Sequence, residues 1–132
     1  YKKTTGGIHT ELVFQDNVPI YLQIIAEIKR RIVAGEWSPG ERVPPVRELA
    51  QGFGVNPNTM QRALAELERD DLLHAERTSG RYVTEDAGLI CAVRDQMAED
   101  AIGKFVAEMA KLGYDGKGIL EKLSKKLEET NP

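Results

Sequence analysis

The chain of 132 residues contains one cysteine, Cys91, so no internal disulfide can staple it, and a reducing cytoplasm is the expected compartment. Cys91 lies within Leu89-Ile90-Cys91-Ala92-Val93 and reads as a small core residue. No apolar run approaches the roughly 20 residues that span a bilayer, and no signal-peptide pattern is present, so no membrane partner is expected. There are two histidines, and neither stands near a carboxylate pair or a nucleophile in a recognisable motif. Metal-ligand clusters and phosphate loops are missing as well, which makes this a non-enzyme with no metal and no cofactor. An excess of positive charge is also lacking: 18 Lys and Arg face 21 Asp and Glu, a net charge of −3. At first sight that balance argues against nucleic acid.

The charge is unevenly placed. Residues 1–84 hold eleven basic and eleven acidic residues, whereas residues 85–132 hold seven basic and ten acidic ones and carry the whole −3. Phosphate contact depends on where charges sit, so a neutral total still permits a local basic face. At 41% hydrophobic and 30% charged, the sequence fits one compact domain with a helical appendage.

The centre of the pattern is a pair of short helices, Val46 to Gln51 and a second from Pro57, joined by a turn at Gly52-Phe53-Gly54-Val55. Asn56 is suited to accept from the first free backbone N–H groups, and Pro57 fits the first helical position. Met60, Ala63, Leu64 and Leu67 form one stripe, which puts Asn58, Arg62, Ala65 and Arg69 on the opposite face. Amides pair bidentately with adenine and guanidinium groups with guanine, while a small residue admits a thymine methyl. A bland polar surface accounts for Glu66 and Arg69. It accounts less well for the Asn-Pro-Asn-Thr opening, which is a poor helical stretch by propensity.

Around this pair, residues 1–17 have no period and read as a loose arm or a non-native remnant. A helix follows from Val18-Pro19, with Asn17 as candidate cap and Ile20, Ile24, Ile28 and Ile32 as its stripe, widened by Tyr21 and Ile25. Lys29, Arg30 and Arg31 close it with charge suited to a helix C-terminus, and Gly35 ends it. Trp37 is expected against this helix, and Arg42-Val43 as one short strand. Arg47 stands where a phosphate would meet a helix N-terminus, unless it merely pairs with Glu48 or another nearby acid. Leu72 to Glu76 and Arg81 to Thr84 read as a hairpin whose basic tip is flanked by Arg77 and Arg81, with Gly80 allowing close backbone approach. His74 is expected to be exposed.

From Asp86 a long helix carries Ile90, Val93, Met97, Ile102, Phe105, Val106, Met109 and Leu112, broken by Gly103 and capped by Gly113. A shorter helix opening at Asp115-Gly116 carries Ile119, Leu120, Leu123 and Leu127. Two such helices cannot bury both stripes as a lone hairpin; they must pack on the first domain or on a second copy of the chain. The copy is the expected cover, because helix-turn-helix proteins usually read two half-sites. Ile90, Val93, Met97, Ile102, Phe105, Met109, Ile119, Leu120 and Leu123 are the expected dimerisation residues. The chain is therefore mostly α with a small β-wing, divided into an arm over 1–17, a winged helix-turn-helix over 18–85 and a helical dimerisation region over 86–132.

Five separated stretches, namely Pro19-Ile20-Tyr21-Leu22-Gln23-Ile24, Pro39 to Pro44, Val46 to Ala50, Gly54 to Thr59 and Gly80 to Val83, resemble the winged helix-turn-helix of GntR-type bacterial transcription regulators. The short tail and the Val-Asn-Pro-Asn-Thr opening resemble the YtrA-like branch, in which the tail serves dimerisation. The resemblance implies that Arg47 contacts phosphate or base at the groove edge. It also implies that Asn56, Asn58, Thr59, Gln61 and Arg62 line the recognition helix and that Ser79, Gly80 and Arg81 form the wing tip. Pro45 replaces the usual capping Ser, so that bond must come from elsewhere or be absent. Pro57 and Gln61 stand where other branches carry Arg, so their base contacts do not transfer.

The function implied is a homodimeric, sequence-specific transcription regulator, a repressor, on a pseudo-palindromic double-stranded DNA operator, with transporter operons as expected targets. The tail leaves little room for an enclosed ligand pocket, no effector is assigned, and the aminotransferase fused to one branch is not expected. The alternative is a protein-interaction module on a winged-helix scaffold, supported by the acidic tail and the near-neutral total charge.

Overall fold

The structure is a computed structural model describing residues 13–130, and the arm expected over 1–17 lies largely outside the described residues. The order is α1 (Ile20–Val33), α2 (Val46–Phe53), α3 (Pro57–Arg69), β1 (Leu73–Glu76), β2 (Gly80–Val83), α4 (Ala87–Lys111) and α5 (Gly116–Thr130). One compact unit runs to Arg94 and a second begins at Asp95.

In the first unit, α1 starts later than Asn17 because Pro19 takes the capping position. Pro19 holds its own φ at −53° and keeps Val18 out of helical space, and its carbonyl accepts from the Leu22 N–H at 3.1 Å. Gln23 holds the preceding segment: its Oε1 accepts from Gln15 N–H at 2.8 Å and its Nε2 donates to Val18 O, also at 2.8 Å. Ile24, Ile28 and Ile32 are buried as the period requires, but Ile20 is 45% exposed, since the first turn of the helix lies beyond the edge of the core. Trp37 is buried in the same core, with Val43, Leu49, Phe53, Met60, Leu64, Leu67 and Val83.

Pro45 caps α2 with no side-chain hydrogen bond, so the bond that a Ser would supply is absent. The helix runs two residues further than expected, through Gly52 and Phe53, because Phe53 buries its ring. Gly54, at φ 70°, then turns the chain in the left-handed region. Asp71 is the one described non-glycine residue with positive φ, 65°, and it redirects the chain from α3 into β1.

The hairpin pairs antiparallel in the register Leu73↔Val83, His74↔Tyr82, Ala75↔Arg81 and Glu76↔Gly80. The expected Arg42-Val43 strand is a single bridge from Arg42 to Tyr82, extended by Val43 N–H donating to Arg81 O at 2.8 Å. Ile90 at the start of α4 is buried in this core and Val93 packs against it. Cys91, expected in the core, is exposed: about 100° further round the helix than Ile90, it faces away.

The second unit holds the rest of α4 and α5. Gly113, at φ 95°, ends α4, and Asp115 Oδ1 accepts from Gly118 N–H at 2.9 Å to start α5. Helix α4 passes through Gly103 unbroken. Its apolar residues do not share one face. At about 100° per residue, the stripe of Ile102, Phe105, Val106, Met109 and Leu112 is rotated by roughly 120° from that of Ile90, Val93 and Met97.

Candidate nucleic-acid interface

Helix α3 is fixed in rotation by its buried side. Met60, Ala63, Leu64 and Leu67 are each fully buried, while Asn58, Gln61, Arg62 and Arg69 are exposed and Thr59 and Ala65 half-buried. The start of the helix is set by Asn56, whose Oδ1 accepts from Asn58 N–H at 2.7 Å, with Pro57 following. Asn56 therefore spends its carbonyl oxygen on the cap, and its amide nitrogen is the donor left over. Asn58, Gln61 and Arg62 present free side-chain amide and guanidinium chemistry on one outward surface.

Arg62 does not pair with Glu66 four residues on, because Glu66 is 3.2 Å from Arg69. Instead its guanidinium carbon lies 3.7 Å from the centroid of the Tyr21 ring on α1. Sequence reading placed Tyr21 in the α1 stripe alone. Its period gave the half-buried side of the ring but not what covers the other face.

Arg47, in the first turn of α2, is exposed. The anticipated pair with Glu48 is not formed, and no other described residue forms an ion pair with Arg47. The N–H groups at the start of α2 lack a side-chain cap, so this end combines a positive side chain with open donors.

The wing is ordered from within. Tyr82 Oη donates to Ser79 Oγ at 3.0 Å and stacks its ring on His74, which is exposed as expected. Arg81 Nε donates to Glu68 Oε2 at 2.9 Å, with the two side chains 19% and 26% exposed, so this guanidinium ties the wing to α3. Arg77 at the tip is exposed. Gly80 has φ 109°, and a Cβ there would come within 3.3 Å of Arg42 Nε. Arg42, counted among the basic residues but not among the contact residues, thus lies against the wing tip. Glu68 and Arg42 were missed because residues far apart in sequence meet only in the fold.

The cations at the end of α1 are compensated rather than offered. Arg30 donates to Glu27 and Glu36, Arg31 to Glu27 at 2.8 Å, and Arg31 also covers the Phe53 ring. Burial pushes the Glu27 carboxyl up, but the hydrogen bonds and charges of Arg30 and Arg31 outweigh it and hold it below its ordinary 4.5. The hydrogen bond from Arg30 likewise lowers Glu36, and those two carboxylates raise Arg30.

Of the expected dimerisation residues, Ile90 is used by the first unit's own core. Met97, Phe105, Met109 and Ile119 are half-buried, and Ile102, Leu120 and Leu123 are exposed, as are Val106, Leu112 and Leu127. No side chain of α5 is buried.

Comparison with known proteins agrees with this arrangement. Residues 20–83 match the model of the bacterial regulatory proteins of the gntR family. The uncharacterized HTH-type transcriptional regulator YhcF of Bacillus subtilis is 38% identical over 82% of this chain and 89% of its own length. The HTH-type transcriptional repressor YtrA of the same organism is 35% identical over 64% of this chain and 70% of its own length. Among solved structures, a GntR family transcriptional regulator from Listeria monocytogenes superposes with a TM-score of 0.78 at 39% identity, covering 85% of this chain and 98% of that one. The AraR DNA-binding domain in complex with operator ORX1 superposes with a TM-score of 0.53 at 32% identity, covering 58% of this chain and 98% of that domain. The named relatives are regulators, not enzymes, and among the described residues no helix is long and apolar enough to cross a membrane. The chain belongs to the GntR family of bacterial regulatory proteins and is a DNA-binding transcription regulator of winged helix-turn-helix fold.

Proposed function

We propose that the protein is a cytoplasmic repressor that acts as a homodimer on a pseudo-palindromic operator, with a transporter operon as the class of target. The observation that carries this reading is the outward face of α3: Asn58, Gln61 and Arg62 are exposed on a helix whose opposite side is fully buried. Asn58, Thr59, Gln61 and Arg62 read base edges, and Arg47, Arg77, Gly80 and Arg42 meet the backbone. Asn56 and Ser79 serve chiefly by holding the helix start and the wing in shape, and Arg81 by bracing the wing. The exposed residues Ile102, Val106, Leu112, Leu120 and Leu123 support the dimer, since a second copy of the same stripe is the self-complementary cover that two-fold symmetry supplies. The relative YtrA of Bacillus subtilis is a transcriptional repressor, which supports repression here.

Selection of bound duplexes from a random pool tests the reading. The expected result is enrichment of two inverted half-sites spaced about one helical turn apart, 10–10.5 base pairs, or a multiple of it. Enrichment of a single half-site, or of nothing, defeats it.

A further inference from the structure

We infer that Tyr21 is a positioning residue for base reading: its ring holds the Arg62 guanidinium in the orientation in which Arg62 meets a base edge. This rests on the proposed role of Arg62, and it adds a residue of α1 to the determinants of specificity.

An arginine on an exposed helix face ordinarily samples many rotamers, and that freedom is lost when it engages a base. Helical spacing offers Arg62 an acidic partner in Glu66, one turn along, and the fold places the ring of Tyr21 beside it. Glu66 is taken by Arg69, and Arg62 lies over the ring at 3.7 Å. Stacking covers one face of the planar guanidinium and leaves its in-plane N–H groups open, which is the arrangement a guanine O6 and N7 require. An ion pair with Glu66 would have engaged those same N–H groups. The ring is a firm support, because Tyr21 is half-buried against the core on a helix anchored by Ile24, Ile25 and Ile28. Arg62 thus approaches DNA already restricted to few conformers, with its hydrogen-bonding edge unoccupied by any described residue.

The test uses the full chain and the duplex recovered from random-pool selection, together with its single-base variants. Wild type, Arg62→Ala, Tyr21→Phe, Tyr21→Leu and the double variant Tyr21→Leu/Arg62→Ala are compared, with thermal unfolding as a check on the fold. Loss of a cation–π contact at an exposed site corresponds to about a 2- to 5-fold weakening. Tyr21→Leu should weaken the selected duplex by about that factor, flatten preference only at the base position that Arg62→Ala flattens, and add nothing to Arg62→Ala. Tyr21→Phe, which keeps the ring, should match wild type. Equal weakening on every duplex, or an undiminished effect of Tyr21→Leu in the Arg62→Ala background, overturns the proposal and leaves Arg62 a base reader. If Arg62→Ala changes no base preference while binding stays sequence-selective, Arg62 does not read a base and the role of Tyr21 falls with it. If no duplex is selected at all, it is the functional reading that has failed.

Discussion

At the scale of single residues, several side chains act on the backbone or on one another rather than on DNA. Asn56 satisfies the start of α3 through its 2.7 Å bond to Asn58 N–H. Asn56→Ala should lower unfolding stability by about 1 kcal/mol, and Asn56→Asp should retain it, as read from urea midpoints. Such a loss would weaken DNA binding only to the extent that the first turn of α3 frays. Glu27 and Glu36 are both held low by arginines. A carboxyl depressed in the fold but ordinary in the unfolded chain binds its proton more readily when unfolded. Its contribution is therefore complete above the ordinary value of 4.5 and is lost as pH falls through the lower folded value. Thermal midpoints measured from pH 6 down should drop on this acid limb, and the double variant Glu27→Gln/Glu36→Gln should make the drop shallower. Arg62 belongs to a different class. Arg62→Ala should relax preference at one base position by about 1–3 kcal/mol in competition binding, whereas a uniform loss would mark it as a phosphate contact.

At the scale of elements, what the sequence made legible follows from how locally each feature is encoded. Helix α3 was readable end to end because its cap, its first-position proline and its stripe all lie within its own residues. The start of α1 was misplaced because Pro19 overrides Asn17, a competition between two good signals two residues apart. Period also says which face is apolar without saying where the core ends, which is why Ile20 turned out exposed. Cys91 is exposed for another reason, its apolar neighbours masking a position off the Ile90 face. The wing was visible as a hairpin, but its brace was not, since Glu68 and Arg81 come from different elements. Gly80 combines positive φ with the nearby Arg42 guanidinium. Gly80→Ala should therefore destabilise by about 1 kcal/mol or more in urea unfolding. Helix α4 carries two stripes, and they should respond differently. Ile90→Ala opens a cavity in the first unit and should cost about 2–5 kcal/mol in unfolding stability. Val106→Glu lies on the other stripe and should leave that stability nearly unchanged.

At the scale of the whole molecule, the two open surfaces imply two concentration-dependent properties. Sedimentation of wild type should give a dimer, and Val106→Glu, with an acid placed in the exposed stripe, should shift it towards monomer and weaken operator binding. The net charge of −3 is no obstacle to DNA, because the acidic surplus belongs to residues 85–132 and the first 84 are neutral. Affinity should fall steeply with salt, and Arg77→Ala should reduce the log–log slope by about 1. The contact between Glu68 and Arg81 gives that slope a second origin. Arg81 of the wing has its counter-ion on α3, so raising ionic strength both screens the phosphates and slackens the joint between wing and reading helix. A tally of neutralised phosphates taken from salt titration of the intact protein would then overstate the true number, and only the titration of Glu68→Gln beside it would separate the two.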